Sequence, residues 1–323
     1  MTSNNNAASG ANLYEDHSGV STAAFNNPYD ALIEVSNNDT KELQARYDTH
    51  RTTRNGQQKG KLLDANFQGV NIDQILLRLH DKTVQPGFVD PRFCLVFWAR
   101  PPQKVKALIG KVQQKLLTAA PNLWLMPQDN LHMTALEITH SRTEPEILSL
   151  VETIKPSIPT IMNYTHAHRA RLIKPMIGFD ASALALSFVP AAGESLPNGR
   201  TEADDAFTYH HLRRDLYGIC ENADVKVESR YVVPSSHLTI GRFISTCHFE
   251  KEGKVDAERV KKLVETIEEV NEWLKREYWP VEGAERQVKE GGEWIVGEEK
   301  GLDARWGRLW YGDGETIELG KGF

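Results

Sequence analysis

Residues 130–138 read NLHMTALEI and have the pattern of a half-buried β-strand. Side chains two positions apart on a strand point to the same face, so His132 and Thr134 share one face while Met133 and Ala135 share the other. The apolar face is expected to pack into a core. The polar face then carries an imidazole and a hydroxyl, and we expect it to border a cleft.

A second stretch, SSHLTIGRF at residues 235–243, repeats this pattern about a hundred residues later. His237 and Thr239 share a face, and Leu238 and Ile240 point the other way. A proline precedes each histidine by a few residues. One H-x-T triplet is a weak signal, but two of them in comparable strands indicate an internal duplication.

The order of the predicted elements supports this duplication. A strand, a helix, a strand with the motif, another helix and another strand occur twice between residues 90 and 323. We therefore predict an α+β fold of two pseudo-symmetric lobes, each an antiparallel sheet flanked by helices, with a central cleft that carries both motifs. The lobes are placed at about 90–165 and 166–323, with exchange of strands between them left open. A pseudo-two-fold axis would set His132 opposite His237.

The chain before residue 90 carries weaker signals. Residues 1–28 are rich in Asn, Ser, Ala and Gly and are predicted to be a disordered tail that the fold does not need. Residues 29–89 are predicted to be an extension that is only weakly helical, with a short helix that starts near Thr40. The segment RTTRNGQQKGK at residues 51–61 is interpreted either as a solvated loop or as a contact to an anionic partner.

Composition limits the classes of function. The 323 residues carry a formal net charge of −6, whereas proteins that grip many phosphates usually have a strong basic excess. A phosphate-bearing ligand is therefore expected to be small, or to be bound by the protein at only one of its ends. DNA is not expected as a ligand. The start of the chain lacks the apolar centre of a signal peptide, and no apolar run is long enough for a membrane span. Three widely spaced cysteines favour a reducing compartment, the cytoplasm or the nucleus.

Two histidines that face one cleft suit acid–base catalysis, because an imidazole titrates at about pH 6.5. One neutral ring can take a proton from a nucleophile, and the other, charged, can give a proton to a leaving oxygen. The hydroxyls of Thr134 and Thr239 can donate hydrogen bonds to non-bridging phosphate oxygens. No set of metal ligands accompanies these residues, so neither a metal nor another cofactor is expected. By contrast, His210 and His211 lie on a predicted helix and are expected at the surface.

Five further residues are candidates for substrate binding. Gly241 has no side chain and would leave room for a ligand. Trp98 and Tyr231 are interpreted either as platforms that stack on a base or as core residues. Arg171 and Lys174 lie on a basic predicted strand, which is interpreted either as a phosphate-binding edge or as a solvated edge whose charges prevent aggregation.

Paired H-x-T motifs on the central strands of a duplicated fold resemble the two-histidine (2H) phosphoesterase superfamily. That group includes 2′,3′-cyclic phosphodiesterases and the bacterial proteins called RNA 2′,5′ ligases. The resemblance covers about residues 90–320, and the motifs match at residues 132–134 and 237–239. It implies metal-free hydrolysis or transesterification of a phosphodiester, often at an RNA end. The extension before residue 90 departs from the compact members of the group.

The function favoured at this point is a metal-independent phosphodiesterase that opens 2′,3′-cyclic phosphates of nucleotides or RNA ends. The first alternative is an exoribonuclease that trims RNA 3′ ends, in which the base activates a ribose 2′-hydroxyl instead of water. The second alternative is a non-catalytic module that binds RNA or nucleotides. The residues assign neither histidine to the role of base or acid, and they leave the oligomeric state open.

Overall fold

The computed structural model describes residues 15–281 and 288–323 of the chain. Among the helices of these residues, none is long and apolar enough to cross a membrane. The helices are α1 (Asp30–Val35), α2 (Thr40–Leu62), α3 (Gln74–His80), α4 (Gln103–Leu117), α5 (Glu144–Ile154), α6 (Ile158–Met162), α7 (Tyr164–Ala167), α8 (Tyr209–Asn222) and α9 (Ala257–Tyr278). The strands are β1 (Phe93–Ala99), β2 (Leu123–Leu125), β3 (Met133–Arg142), β4 (Arg171–Phe179), β5 (Ala183–Pro190), β6 (Ser236–Phe243), β7 (Glu250–Lys251), β8 (Lys254–Val255), β9 (Trp294–Ile295), β10 (Lys300–Gly307) and β11 (Glu315–Lys321).

Two antiparallel sheets form the centre of the molecule. The first has the strand order β11-β10-β1-β3 and the second has the order β2-β6-β5-β4-β9, while β7 and β8 pair as a separate hairpin. β3 is the edge strand of the first sheet and lies against β6 of the second. The predicted α+β fold with two antiparallel sheets is therefore confirmed. The two H-x-T motifs lie on β3 and β6, at the seam between the sheets.

The two sheets do not correspond to consecutive halves of the chain. β2 comes from the first half but pairs with β6 of the second sheet. β10 and β11 come from the C-terminal part and complete the first sheet beside β1. Each predicted lobe thus gives strands to the other. The boundary at residue 165 separates two chain segments, but the packed units interlock across it.

Alternation along β3 and β6 places their apolar residues in the core. Met133 and Ala135 are fully buried, as are Leu238 and Ile240. These side chains belong to a continuous apolar cluster that includes residues of α4, α8 and α9. Burial of each larger apolar side chain contributes roughly 1.5–3 kcal/mol. This burial fixes the register, because a slip by one residue would turn the apolar side chains toward the cleft.

The chain before residue 90 is more ordered than its sequence predicts. α2 is a single helix of 23 residues, which contradicts both a weakly helical extension and a solvated loop at residues 51–61. Asp39 caps the helix by accepting hydrogen bonds from two backbone N–H groups of the first turn. Tyr47 is buried, and the helix packs on β4, β5 and α9. Tertiary packing therefore extends a helix whose local propensity is low, since it contains two glycines.

The segment that precedes this helix is packed as well. Residues 1–14 of the expected tail lie outside the described residues, but residues 15–28 make defined contacts. Ser18 is buried, and Asn27 Nδ2 donates a hydrogen bond to the carbonyl of Arg214 at 2.9 Å. The hydrogen bond joins the segment to α8, so the expected disorder does not extend to residues 15–28.

His210 and His211 are buried, in contrast to their expected surface position, because α8 turns them toward the N-terminal segment. His210 Nε2 donates to the carbonyl of Tyr29 at 2.9 Å, and its Nδ1 accepts from the hydroxyl of Tyr47 at 3.0 Å. A neutral ring with its hydrogen on Nε2 makes both hydrogen bonds. Burial, reinforced by the charge of Arg213, lowers the pKa of His210 to about 3.

The buried His210 predicts a fold that loses stability in acid. Its pKa is about 6.5 in an unfolded chain and about 3 in the folded protein, so the unfolded state binds the proton preferentially. The free energy of unfolding should therefore fall as the pH is lowered from about 6.5 toward 3. His210→Gln keeps a donor and an acceptor but cannot titrate. In urea unfolding, the slope of stability against pH should be smaller in this variant, by up to about 1.4 kcal/mol per pH unit.

His80→Gln is the matched control for this measurement, because His80 is an exposed histidine at the end of α3. This variant should keep the wild-type slope of stability against pH. If His210→Gln and the wild-type protein gave the same slope, protonation of His210 would not be coupled to unfolding.

Candidate functional site

The two H-x-T motifs border one cavity at the seam between the sheets. His132 and Thr134 reach it from the start of β3, and His237 and Thr239 reach it from β6. All four residues are partly buried, while the residue between each pair is buried. The cavity has about 60 Å³ of space, whereas one water needs roughly 10–15 Å³. It is therefore large enough for a phosphate group.

The ring of His132 is held in one orientation. Its Nδ1 lies 2.7 Å from the carbonyl oxygen of Asn130. Because a carbonyl can only accept, Nδ1 carries the hydrogen, and Nε2 of the neutral ring is a proton acceptor. The ring stacks on Trp98, with centroids 3.8 Å apart and planes 14° apart. Asn130 is fixed in turn, since its Nδ2 donates to the carbonyl of Tyr311 at 3.1 Å.

His237 has a different hydrogen-bond partner. Its Nδ1 lies 2.9 Å from the hydroxyl of Ser235, which can donate as well as accept. His237 can therefore carry a hydrogen on Nε2, which the bond to Asn130 prevents in neutral His132. The ring of Tyr231 lies 5.8 Å from that of His237 and is tilted by 53°.

Both histidines have strongly lowered pKa values. Burial is the main cause for His132, whose pKa falls to about 3; the bond to Asn130 opposes this, and the charges of Arg100 and His237 add to it. Burial likewise lowers the pKa of His237 to about 4, with Arg54 as the next contributor. Without an anionic ligand, both rings are thus neutral at neutral pH. A bound phosphodiester anion would raise both pKa values, because it attracts the imidazolium form.

Both β3 and β6 carry a β-bulge one residue after the threonine of the motif. The extra residue is Ala135 in β3 and Ile240 in β6. A bulge shifts the alternation by one residue, so the next cleft-facing position differs from that of an unbroken strand. Glu137 and Arg242, three positions after the two threonines, line the cavity as a result. The duplicated pattern is therefore H-x-T-x-x-E in one strand and H-x-T-x-x-R in the other.

Gly241 does not leave room for a ligand, which corrects the expectation from the sequence. Unbroken alternation would place it on the cleft face, but the bulge turns it toward β2. Gly241 pairs with Leu125, and a Cβ atom added to it would lie 2.8 Å from Leu123 Cδ2 and 3.2 Å from the carbonyl oxygen of Trp124. The glycine therefore permits the close approach of β2 to β6.

Arg171 and Lys174 are also placed differently from the expectation. Both lie on β4 and are not among the residues that line the cavity. Arg171 is 1% exposed and forms ion pairs with Asp205 at 2.6 Å and Glu293 at 2.9 Å. Lys174 Nζ lies 2.8 Å from Glu194. Because neither cation lines the cavity, the predicted phosphate-binding role is wrong for them.

Trp98 and Tyr231 both line the cavity, but they differ in exposure. Trp98 is 1% exposed, with His132 stacked on its ring and the guanidinium groups of Arg100 and Arg305 within about 5 Å of the ring centroid. It therefore positions His132 and offers no open face for a base. Tyr231 is partly exposed and stays a candidate for contact with substrate.

Two residues that the sequence pattern does not single out, Arg230 and Trp310, also line the cavity. Arg230 Nη2 lies 2.6 Å from a carboxylate oxygen of Glu137. The guanidinium of Arg230 lies 4.5 Å from the ring centroid of Trp310. A buried carboxylate within an apolar strand needs a cationic partner. Glu137 in the sequence could therefore have indicated that a cation lies beside the motif strand. The identity of the partner depends on the tertiary structure.

A larger cavity of about 650 Å³ continues from the histidine site. The two cavities share His237, Thr239 and Arg242 among their lining residues. α2 forms the far wall of the larger one. Its lining residues from α2 include Arg51, Arg54, Asn55 and Lys61.

Comparisons with known proteins find similar solved structures. No known family model matches the sequence, and no curated protein matches it. The chain is similar to TT0787 of Thermus thermophilus, with 16% identity, coverage of 70% of this chain and 96% of that chain, and a TM-score of 0.36. It is also similar to Usb1 of Kluyveromyces marxianus with uridine monophosphate, with 13% identity, coverage of 71% and 98%, and a TM-score of 0.37. Similarities of this size do not assign a function, which rests on the geometry of the site.

The close approach of β2 to Gly241 predicts a stability effect. We expect Gly241→Ala to lower the free energy of unfolding by roughly 1–3 kcal/mol, because the added methyl group must displace Leu123 or β2. Gly218→Ala in α8 is the matched control, since its Cβ would have no atom within 4 Å. The control should be neutral or stabilising by up to about 1 kcal/mol. Denaturant unfolding measures both, and wild-type stability in Gly241→Ala would contradict the packing role.

Proposed function

We propose that this protein is a two-histidine phosphodiesterase that opens 2′,3′-cyclic phosphates of nucleotides or RNA ends without a metal. The observation that carries the proposal is the meeting of His132 and His237, each beside its threonine, at one cavity of phosphate size. The two motifs come from different sheets and from distant parts of the chain. Two histidines without a common role would not be expected to line one cavity, each with its threonine beside it.

The hydrogen bonds of the two rings favour different roles. In neutral His132, the bond to Asn130 leaves Nε2 as an acceptor, which suits the base that takes a proton from the attacking water. The hydroxyl of Ser235 allows His237 to hold a proton on Nε2, which suits the acid. Water then bonds to phosphorus, the bond from phosphorus to one ribose oxygen breaks, and His237 gives its proton to that oxygen.

Stabilisation of the phosphate is proposed to come from the remaining polar groups of the cavity. Thr134 and Thr239 would donate hydrogen bonds to the two non-bridging oxygens. Arg242 places a guanidinium at the cavity and lies 3.4 Å from Asp73, while Glu137 on the opposite strand is neutralised by Arg230. Donors that are fixed before the reaction stabilise the charge that develops in the transition state.

The proposed mechanism uses no metal ligand. In the part of the chain that the structure describes, no three His, Cys, Asp or Glu side chains are grouped so that they could hold a metal ion. Cys94, Cys220 and Cys247 are free thiols. Free thiols agree with the proposed cytoplasmic or nuclear location, since thiols stay reduced there.

The larger cavity favours a second candidate function, the trimming of RNA 3′ ends. It extends from His237 to α2 and offers about 650 Å³, which is enough for nucleotide groups beyond the scissile phosphate. The same base would then activate a ribose 2′-hydroxyl. Mass spectrometry of the products separates the two activities, because ring opening adds one water to the substrate and trimming releases nucleotides.

Turnover of uridine 2′,3′-cyclic phosphate in EDTA tests the proposed function. The product should be heavier by one water, and His132→Ala and His237→Ala should each lower kcat/KM by roughly a hundredfold or more. The double variant should be far less than multiplicatively worse, because groups that act as a unit are non-additive. Loss of activity in EDTA with recovery in zinc or magnesium would overturn the metal-free mechanism. RNA or nucleotide binding without turnover would favour the non-catalytic alternative.

An activated leaving group tests the assignment of base and acid. Bis(4-nitrophenyl) phosphate releases a stabilised phenolate, which needs little protonation. His237→Ala should therefore be much less impaired on this ester than on the cyclic nucleotide, whereas His132→Ala should stay impaired by roughly a hundredfold on both. Release of nitrophenolate gives the rates. Thr134→Ala is the control, since loss of a phosphate donor should affect both substrates alike. A spared His132→Ala variant would show that the roles are reversed.

A further inference from the structure

The α2 wall of the larger cavity is rich in cations, although the protein as a whole is acidic. The chain carries a net charge of −6, yet more cations than carboxylates line this cavity. Four of these cations pair with carboxylates: Arg51 with Asp48, Arg54 with Asp180, Arg230 with Glu137 and Arg242 with Asp73. Positive groups there come both from α2 and from the side of the histidine site. The cations that line the cavity are Arg51, Arg54, Lys61, Arg230 and Arg242, and the carboxylates are those of Glu15 and Asp180.

Arg54 is held in place at this wall and stays accessible. Its Nη1 donates to the carbonyl of Phe179 at 3.1 Å, and its Nη2 forms an ion pair with Asp180 at 2.6 Å. Its side chain is 28% exposed. Lys61, about two turns further along α2, is exposed at the same cavity. An anion in the cavity would therefore meet one anchored guanidinium and one exposed ammonium group.

The sizes of the two cavities fit different parts of one ligand. The space beside the histidines is about 60 Å³ and suits a single phosphate group. The larger cavity, of about 650 Å³, is of the size that usually holds a small molecule. Both are lined by His237, Thr239 and Arg242. A nucleotide whose reacting phosphate lies at the histidines can thus extend toward α2 without leaving the protein surface.

The charge on α2 also acts on the histidine site. After burial, Arg54 makes the largest contribution to the lowered pKa of His237. An anion bound at Arg54 would offset that repulsion and favour the protonated ring that an acid requires. Binding of an anion at Arg54 would therefore favour protonation of His237, because the charge of Arg54 acts on both.

We propose that Arg54 and Lys61 of α2 bind a second phosphate group of the substrate, so that the preferred substrates are nucleotides with phosphates at two positions. This inference rests on the proposed function, in which the first phosphate reacts between the histidines. The second phosphate is either a terminal 5′-phosphate or the internucleotide phosphate of an RNA end. Both have the same chemistry at the α2 wall, and the experiment distinguishes them.

Calorimetric titration with non-reactive ligands measures the second phosphate directly. Uridine 3′,5′-bisphosphate should bind the wild-type protein at least about tenfold more tightly than uridine 3′-monophosphate, a difference of about 1.4 kcal/mol. Arg54→Gln should reduce this ratio of Kd values to near one, and Lys61→Gln should reduce it by about half or more. Lys59→Gln should keep the wild-type ratio, because Lys59 lies on α2 two residues before Lys61 but does not line the cavity and pairs with Glu268.

Several outcomes would overturn the inference. Equal affinity of the wild-type protein for the two ligands would do so, and so would an unchanged ratio in Lys61→Gln, whether or not Arg54→Gln folds. An equal loss in Lys59→Gln would show that the helix contributes only diffuse charge, and would overturn the assignment to these two residues. Circular dichroism of each variant reports whether it is folded.

The dinucleotide uridylyl-(3′→5′)-uridine 3′-phosphate identifies the source of the second phosphate. A gain in affinity with both ligands supports a site that accepts either phosphate, and a gain with one of them assigns the site to that source. Turnover of uridine 2′,3′-cyclic phosphate is measured separately. If turnover fails while the ratio of affinities depends on Arg54 and Lys61, the proposed hydrolysis is wrong and the phosphate site stands.

Discussion

The alternation of β3 and β6 is the constraint on which the rest of the structure depends. Each strand buries an apolar face and turns a histidine and a threonine toward the other strand. Because the side-chain period of a strand is two, the packing that fixes Met133 and Leu238 in the core also fixes His132 and His237 at the seam. Stability of the core and placement of the chemistry are therefore set by the same register.

The surroundings of the two rings set the charge state of the proposed site. Burial disfavours the imidazolium form of both histidines, and the nearby guanidinium groups of Arg100 and Arg54 add to the effect. A phosphodiester would reverse this balance by supplying negative charge between the rings. Stacking on Trp98 and the hydrogen bonds to Asn130 and Ser235 limit the motion of the rings before any ligand arrives.

Strands exchanged between the two halves of the chain and the N-terminal helix α2 form the structure around the site. β2, β10 and β11 cross between the two halves of the chain, so neither sheet is completed by its own segment. α2 packs on the second sheet and α9 and closes one side of the larger cavity. The extension before residue 90 is thus part of the same packed unit as the two sheets.

The sequence by itself determined the α+β class, the two strands with H-x-T motifs and the face on which each histidine and its threonine lie. This was possible because the alternation of apolar and polar residues is local and has a fixed period. The resemblance to the 2H phosphoesterases also rests on these local motifs, since each of them is read within a single strand.

Only the tertiary structure decided the features that depend on pairing between distant segments. The bulges at Ala135 and Ile240 are set by the partner strands β1 and β5, so the sequence misplaced Gly241 and missed Arg242. Low local propensity concealed the full length of α2, because packing on β4, β5 and α9 stabilises it. Arg171 was also misplaced, since its carboxylate partners are remote in the chain. In each case the deciding interaction joins residues that no local pattern connects.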